Sequence, residues 1–176
     1  MAEKYLQTPL SDKDMAELSA GDIVYLSGIV YTARDAAHKR LVEFLDKDEK
    51  MPFDFEGQVV YYAGPCPAKP GMVIGSVGPT TSGRMDAYSP RLIKKGLKGM
   101  IGKGLRDAAV KDAIVEKGGV YFAAIGGAAA LMSQCVKSVE VIAFEDLGTE
   151  AIRRMTVENL PVVVAVDSKG RDVYEH

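Results

Sequence analysis

The chain has 176 residues, 22 basic against 24 acidic, and 47% of it is hydrophobic. That length holds one domain, or two small lobes on a shared core, and the near-average composition excludes disorder and collagen-like or coiled-coil fibres. A formal net charge of −2, with Lys and Arg spread along the chain, argues against nucleic acid and anionic membrane surfaces as partners.

The first 20 residues lack the charged, apolar and small-residue regions of a secretory signal and read as an arm ahead of one domain over 21–176. The β-rich run Ile23 to Val30 predicts a strand. Thr32, with Asp35 three residues on, predicts a capped helix to about Lys47 with Ala37, Leu41 and Phe44 facing inward. Gln58 to Ala63 and Met72 to Ser76 read as short strands around a Gly64 to Pro70 turn, giving a β-rich first half.

Gly78 to Asp86 is dense in turn and polar residues directly after a strand, the usual mounting of a functional loop. Ser89 as cap and Pro90 at the first helical position predict a helix whose buried stripe is Leu92, Ile93, Leu97 and Met100, broken by Gly102-Lys103-Gly104. Leu105 to Lys117 predicts another, closed by Gly118-Gly119. Strand Val120 to Ala124, helix Ala128 to about Val136 and strand Val139 to Phe144 imply a parallel crossover and an α/β second half. Leu160 to Val166 and Arg171 to Tyr174, joined by Asp167 to Gly170, read as a terminal hairpin. The whole is mixed α/β.

The longest apolar run, Val120 to Met132, is interrupted by Gly126-Gly127 and falls short of the roughly 20 residues that span a bilayer. The two cysteines, Cys66 and Cys135, are too few for a disulfide framework or a metal site built from this chain alone. A soluble, cytoplasmic protein is the expectation.

Three places combine cations or hydroxyls with strand ends and glycines. At Thr32 to Arg34, free helix-start N–H groups and a guanidinium suit a carboxylate or phosphate; the plainer alternative is Arg34 paired with Asp35 on a solvated helix start. Gly78 to Gly83 followed by Arg84 imitates a phosphate-binding loop, but Arg stands for its lysine and Met85 for the magnesium-binding hydroxyl. Gly102-Lys103-Gly104 lacks the third glycine of a dinucleotide fingerprint, and on spacing alone the favoured reading of Lys103 is a flexible surface residue between two helices. Two Arg, one Lys and the Thr80 and Thr81 hydroxyls are enough to clamp a small dianion. No activator sits beside either hydroxyl, so the chain reads as half of an active site.

The ordered segments Gly21-Asp22, Thr32-Ala-Arg-Asp-Ala-Ala-His38, Val60-Tyr-Tyr-Ala-Gly-Pro65, Gly78-Pro-Thr-Thr-Ser-Gly-Arg-Met-Asp86, Ile101-Gly-Lys-Gly104 and Val120 to Gly127 resemble the iron-sulfur hydro-lyases, namely the β subunit or C-terminal domain of class I fumarases and their tartrate dehydratase relatives. The resemblance implies a swivelling β/β/α domain. It implies a separate α subunit whose cysteines hold a [4Fe-4S] cluster acting as Lewis acid, and an α2β2 assembly of the two subunits is the expectation. It further implies that Arg34, Arg84 and Lys103 bind the two carboxylates of fumarate or malate, that Thr80 exchanges the C3 proton, and that Thr81 and the Gly83 backbone place the substrate.

No cluster ligand is implied for Cys66, and Cys135 reads as a small buried helix residue. Asp86 and Tyr88 read as a turn cap and a packing residue, His38 as a surface or supporting residue, and His176 as the chain end. A β subunit acting on L-tartrate or a methylated fumarate, and a non-catalytic anion- or nucleotide-binding module, stand as alternatives.

Overall fold

The computed structural model describes residues 2–125 and 127–175. The strands are β1 (Glu3–Gln7), β2 (Ile23–Thr32), β3 (Val59–Tyr61), β4 (Gly99–Gly102), β5 (Val120–Ala124), β6 (Val136–Ala143) and β7 (Ile152–Val166). The helices are α1 (Asp12–Ala16), α2 (Asp35–Asp46), α3 (Ser89–Lys94), α4 (Ala108–Lys117) and α5 (Ala128–Cys135), and the architecture is mixed α/β as expected. Neighbouring strands β2, β3, β4 and β5 run parallel. β7 lies antiparallel to both β5 and β2, so the sheet closes on itself, with β1 and β6 as appended edges.

Closure follows from strands that are apolar on both faces. Side chains alternate along a strand, so Val59, Tyr61, Ile101 and Phe122 join one core with Val24, Leu26, Leu160 and Val162. Val60, Tyr62, Met100 and Tyr121 join a second core, covered by Leu41 of α2, Leu92 and Ile93 of α3, and Val110 and Ile114 of α4. Parallel β2, β3 and β4 present their C-terminal ends along one edge, the end at which parallel α/β sheets, closed as well as open, bind ligands. The N-terminal residues join this body: β1 pairs with β2, and Met15 and Leu18 are buried.

Several expectations are corrected. Thr32 does not cap a helix: β2 runs two residues further to pair with β3 and β7, and the buried Thr32 hydroxyl accepts from Arg153 N at 3.3 Å. Helix α2 begins at Asp35 after an extended Arg34, and its Ala36 N–H is capped from a distance by Glu150 Oε1 at 3.2 Å. His38, beside Ala37 and Leu41, is fully buried rather than on the surface. Met72 to Ser76 forms no strand; buried Ile74 and Val77 pin it, and the Tyr61 hydroxyl donates to the Val77 carbonyl at 2.9 Å.

Helix α3 is capped by Tyr88, because the Ser89 hydroxyl turns back to the Met85 carbonyl at 2.9 Å, and Pro90 takes the second position. Leu97 and Met100 are buried but lie beyond α3, Met100 in β4. Helix α4 is capped by Asp107, whose carboxylate accepts from Val110 N at 3.0 Å, and is closed by Gly118 at φ 74°. No parallel crossover joins β5 to β6; β6 pairs antiparallel with β7. The terminal hairpin reduces to one bridge, Val166 to Asp172, after a far longer β7. Among the described residues no helix is long and apolar enough to cross a membrane. Gly126 and His176 lie outside the described residues.

Candidate active site

The Gly78 segment returns between β3 and β4 just past their paired ends. Thr80 N donates to the Tyr62 carbonyl at 2.8 Å, while Thr81 bridges Lys103 and Ser82 N donates to the Lys103 carbonyl at 2.8 Å. The segment thus wedges between the two strand ends and then winds into a 3-10 turn, Ser82–Met85, which carries Gly83 and Arg84. Wedging fixes the Thr80 and Thr81 backbone from both sides while their hydroxyls have no hydrogen-bond partner among the described residues. Lys103 is exposed, and its ammonium makes no ion pair among the described residues.

Arg34 leaves the end of β2 onto the same edge, its Cδ 3.3 Å from where a Cβ on Gly64 would stand. Asp35 draws the two arginines together: Arg84 Nε lies 2.8 Å from Asp35 Oδ2, and Arg34 Nε lies 3.8 Å from Asp35 Oδ1. The plainer reading of Arg34, pairing with Asp35, is therefore present, but the same carboxylate also reaches Arg84 from 49 residues away. The structure brings the Thr32 and Gly78 loops together through this contact, with the Gly102 to Gly104 loop alongside through Thr81.

Behind these loops lies a buried cation that the sequence reading passed over. Arg106 is 5% exposed and donates from Nε to Asp86 Oδ1 at 2.7 Å, and from Nη2 to the Tyr62 hydroxyl at 3.0 Å and Ser89 Oγ at 2.9 Å. Its guanidinium also stacks over the Tyr62 and Tyr121 rings, 5.1 and 4.7 Å from their centroids. Burial opposes its charge, but Tyr62 and Asp86 outweigh that and hold its pKa above the ordinary arginine value. The Tyr121 hydroxyl bonds Ser82 Oγ at 2.7 Å and donates to the Gly104 carbonyl at 2.8 Å, tying the threonine loop to the lysine loop. Burial pushes the Tyr121 phenol up, so it stays protonated.

Asp86 is therefore the partner of Arg106, and it also accepts from Asp107 N at 2.9 Å, joining the 3-10 turn to the start of α4. Tyr88 packs toward the His38 ring, centroids 6.2 Å apart. His38 Nδ1 lies 2.8 Å from the Arg34 carbonyl, which can only accept, so Nδ1 carries the proton and the buried Nε2 is left without a partner. Burial, helped by the Arg106 charge, lowers the His38 pKa to about 4. A neutral imidazole clamped to the Arg34 backbone supports that residue and takes no general-base position. No helical or strand periodicity marks Arg106 in advance; its nearness to Gly102-Lys103-Gly104 is the one local signal.

The donor set does not suit a metal cluster. Cys66 is exposed, Cys135 is half-buried on α5 with Sγ 3.8 Å from the Asn159 carbonyl, and no group of three His, Cys, Asp or Glu side chains among the described residues could hold a metal ion.

The family model described as Fumarase C-terminus matches residues 2–176. The chain is 41% identical, over 98% of its length and 91% of the relative's, to a protein of Methanocaldococcus jannaschii provisionally named L(+)-tartrate dehydratase subunit beta. It is 37% identical over 97% of its length to the aerobic class I fumarate hydratase of Salmonella typhimurium, and 38% identical over 92% to fumarate hydratase 2 of Leishmania major. It spans only 30% and 29% of those two proteins.

Proposed function

The chain belongs to the Fumarase C-terminus family, and on that premise we propose that it is the β subunit of a two-subunit hydro-lyase that reversibly hydrates fumarate to (S)-malate. The observation that carries this is the convergence of Arg34 and Arg84 on Asp35, next to the Thr80–Thr81 and Lys103 loops at the C-terminal edge of the parallel strands. Arg34, Arg84 and Lys103 bind the two substrate carboxylates. In malate dehydration the Thr80 hydroxyl takes the C3 proton, with Thr81 and the Gly83 backbone placing the substrate.

Removing a proton beside a carboxylate builds charge onto that group, so cations fixed before the reaction stabilise the transition state more than the ground state. A threonine hydroxyl is a feeble base alone. Its activation is therefore assigned to a carboxylate of an α subunit, which takes the hydroxyl's own proton as the oxygen accepts that from C3; the α subunit also holds the [4Fe-4S] cluster, for which no side-chain group among the described residues is suited. An α2β2 assembly in the cytoplasm completes the proposal.

A second reading, the β subunit of an L-tartrate dehydratase, is favoured by the near full-length match to the archaeal protein of that name. The clamp serves both substrates. Side-by-side turnover of fumarate, malate, L-tartrate and mesaconate by the assembled enzyme separates them: a clear preference for fumarate and malate upholds the first reading, and one for tartrate replaces it with the second.

A further inference from the structure

Resting on the dicarboxylate clamp just proposed, we infer that Asp35 is a positioning residue, which holds both clamp arginines by their Nε edges and leaves their Nη forks for substrate. Arg84 Nε is bonded to Asp35 Oδ2 at 2.8 Å. The two neighbouring buried atoms that lack a hydrogen bond, Arg34 Nε and Asp35 Oδ1, face each other at 3.8 Å. Among the described residues no hydrogen-bond acceptor reaches Nη1 or Nη2 of either arginine. A guanidinium grips a carboxylate through a planar fork, so its orientation decides whether the grip is bidentate.

Asp35 is suited to this because it is itself fixed. It is the first residue of the 12-residue α2, whose next amide is capped by Glu150, whereas Arg84 rides on a short 3-10 turn and Arg34 on a strand exit. Charge supports the same role. Arg34, Arg84 and Lys103 less the Asp35 carboxylate leave two positive charges, which match a dicarboxylate. Neutralising Asp35 therefore adds attraction for the dianion while releasing the arginines from their orientation, so turnover falls without weaker binding. An acid in the first turn of a helix is also a common stabiliser of the helix start, and that role is independent of Arg84.

The test is a double-mutant cycle in the assembled enzyme with fumarate: Asp35→Asn, Arg84→Met and the double variant, with Asp35→Glu as a variant that keeps the helix-start acid. Expected are a kcat at least tenfold lower in Asp35→Asn with KM no more than twofold higher, and a double variant whose loss is at least threefold smaller than the product of the two single losses, the remainder reflecting Arg34. Asp35→Glu, with unchanged thermal unfolding, should lose at least fivefold in kcat because its longer stem displaces both Nε contacts. Losses that simply multiply in the double variant, or a wild-type kcat in Asp35→Glu, overturn the inference in an enzyme that otherwise works. A wild-type assembly inert toward every dicarboxylate overturns the underlying reading and this one with it.

Discussion

Gly102 lies so close to Ser82 that a Cβ at position 102 would stand 2.0 Å from Ser82 Oγ, and 2.8 Å from Tyr62 Cδ2. The glycine at the end of β4 is thus what lets the threonine loop wedge between β3 and β4. Gly102→Ala should cost about 1–3 kcal/mol, the range of an overpacked core site, read as a lower urea midpoint of the isolated chain. An unchanged midpoint would show that the wedge has room for a methyl group.

Asp86 and Arg106 form a pair with side-chain exposures of 11% and 0%. Breaking a buried pair by removing one partner leaves an uncompensated charge and costs about 3–5 kcal/mol. Asp86→Ala should approach that loss in urea unfolding and should also lower turnover, because Arg106 braces Tyr62 and, by stacking, Tyr121. A loss below about 1 kcal/mol would place the pair among ordinary surface bridges.

His38 supplies a pH signature. Its folded pKa of about 4 lies below the ordinary 6.5, so between those values the unfolded chain binds more protons and stability rises with pH. The contribution, about 3 kcal/mol from the shift, is present above pH 6.5 and is lost as pH falls toward 4. The groups around the ring are the Arg34 carbonyl, Asp35, Arg106, Tyr62 and Tyr88. Unfolding free energies at pH 7 and pH 5 should differ more for wild type than for His38→Gln, and equal differences would contradict the assignment.

Thr80→Ala, Arg84→Met and Lys103→Met should each lower turnover of the assembled enzyme at least 100-fold, or about 3 kcal/mol of transition-state stabilisation. None of the three lies in a strand or an α-helix, so the unfolding temperature should hold. Near-normal turnover in any one would remove that residue from the machinery.

Local signals account for the parts of the fold that the sequence makes legible. The left-handed Gly118 ends α4 where a C-terminal glycine should, and the apolar run at Val120 forms β5 with its expected bounds. β4 escaped because Leu92, Ile93, Leu97 and Met100 fall at helical spacing although Met100 belongs to a four-residue strand between glycines. The Met72 run has strand composition but no partner strand, which composition cannot reveal. The first half of β7 hid behind Arg153, Arg154 and Glu158, which alternate with buried Ile152, Met155 and Val157 on a strand that β2 and β6 flank. Candidate site residues could be named one loop at a time. Their meeting through Asp35, and the Arg106 brace behind them, are contacts between segments far apart in sequence, set by strand register alone.

The most direct measurement is an anaerobic purification of the tagged chain from its own cells, recording iron, cluster absorbance near 400 nm and fumarate hydration in one fraction. The account predicts a brown, cysteine-bearing partner that co-purifies with this chain and a fraction that hydrates fumarate. A chain that emerges alone, without iron and without activity on any dicarboxylate, would contradict it.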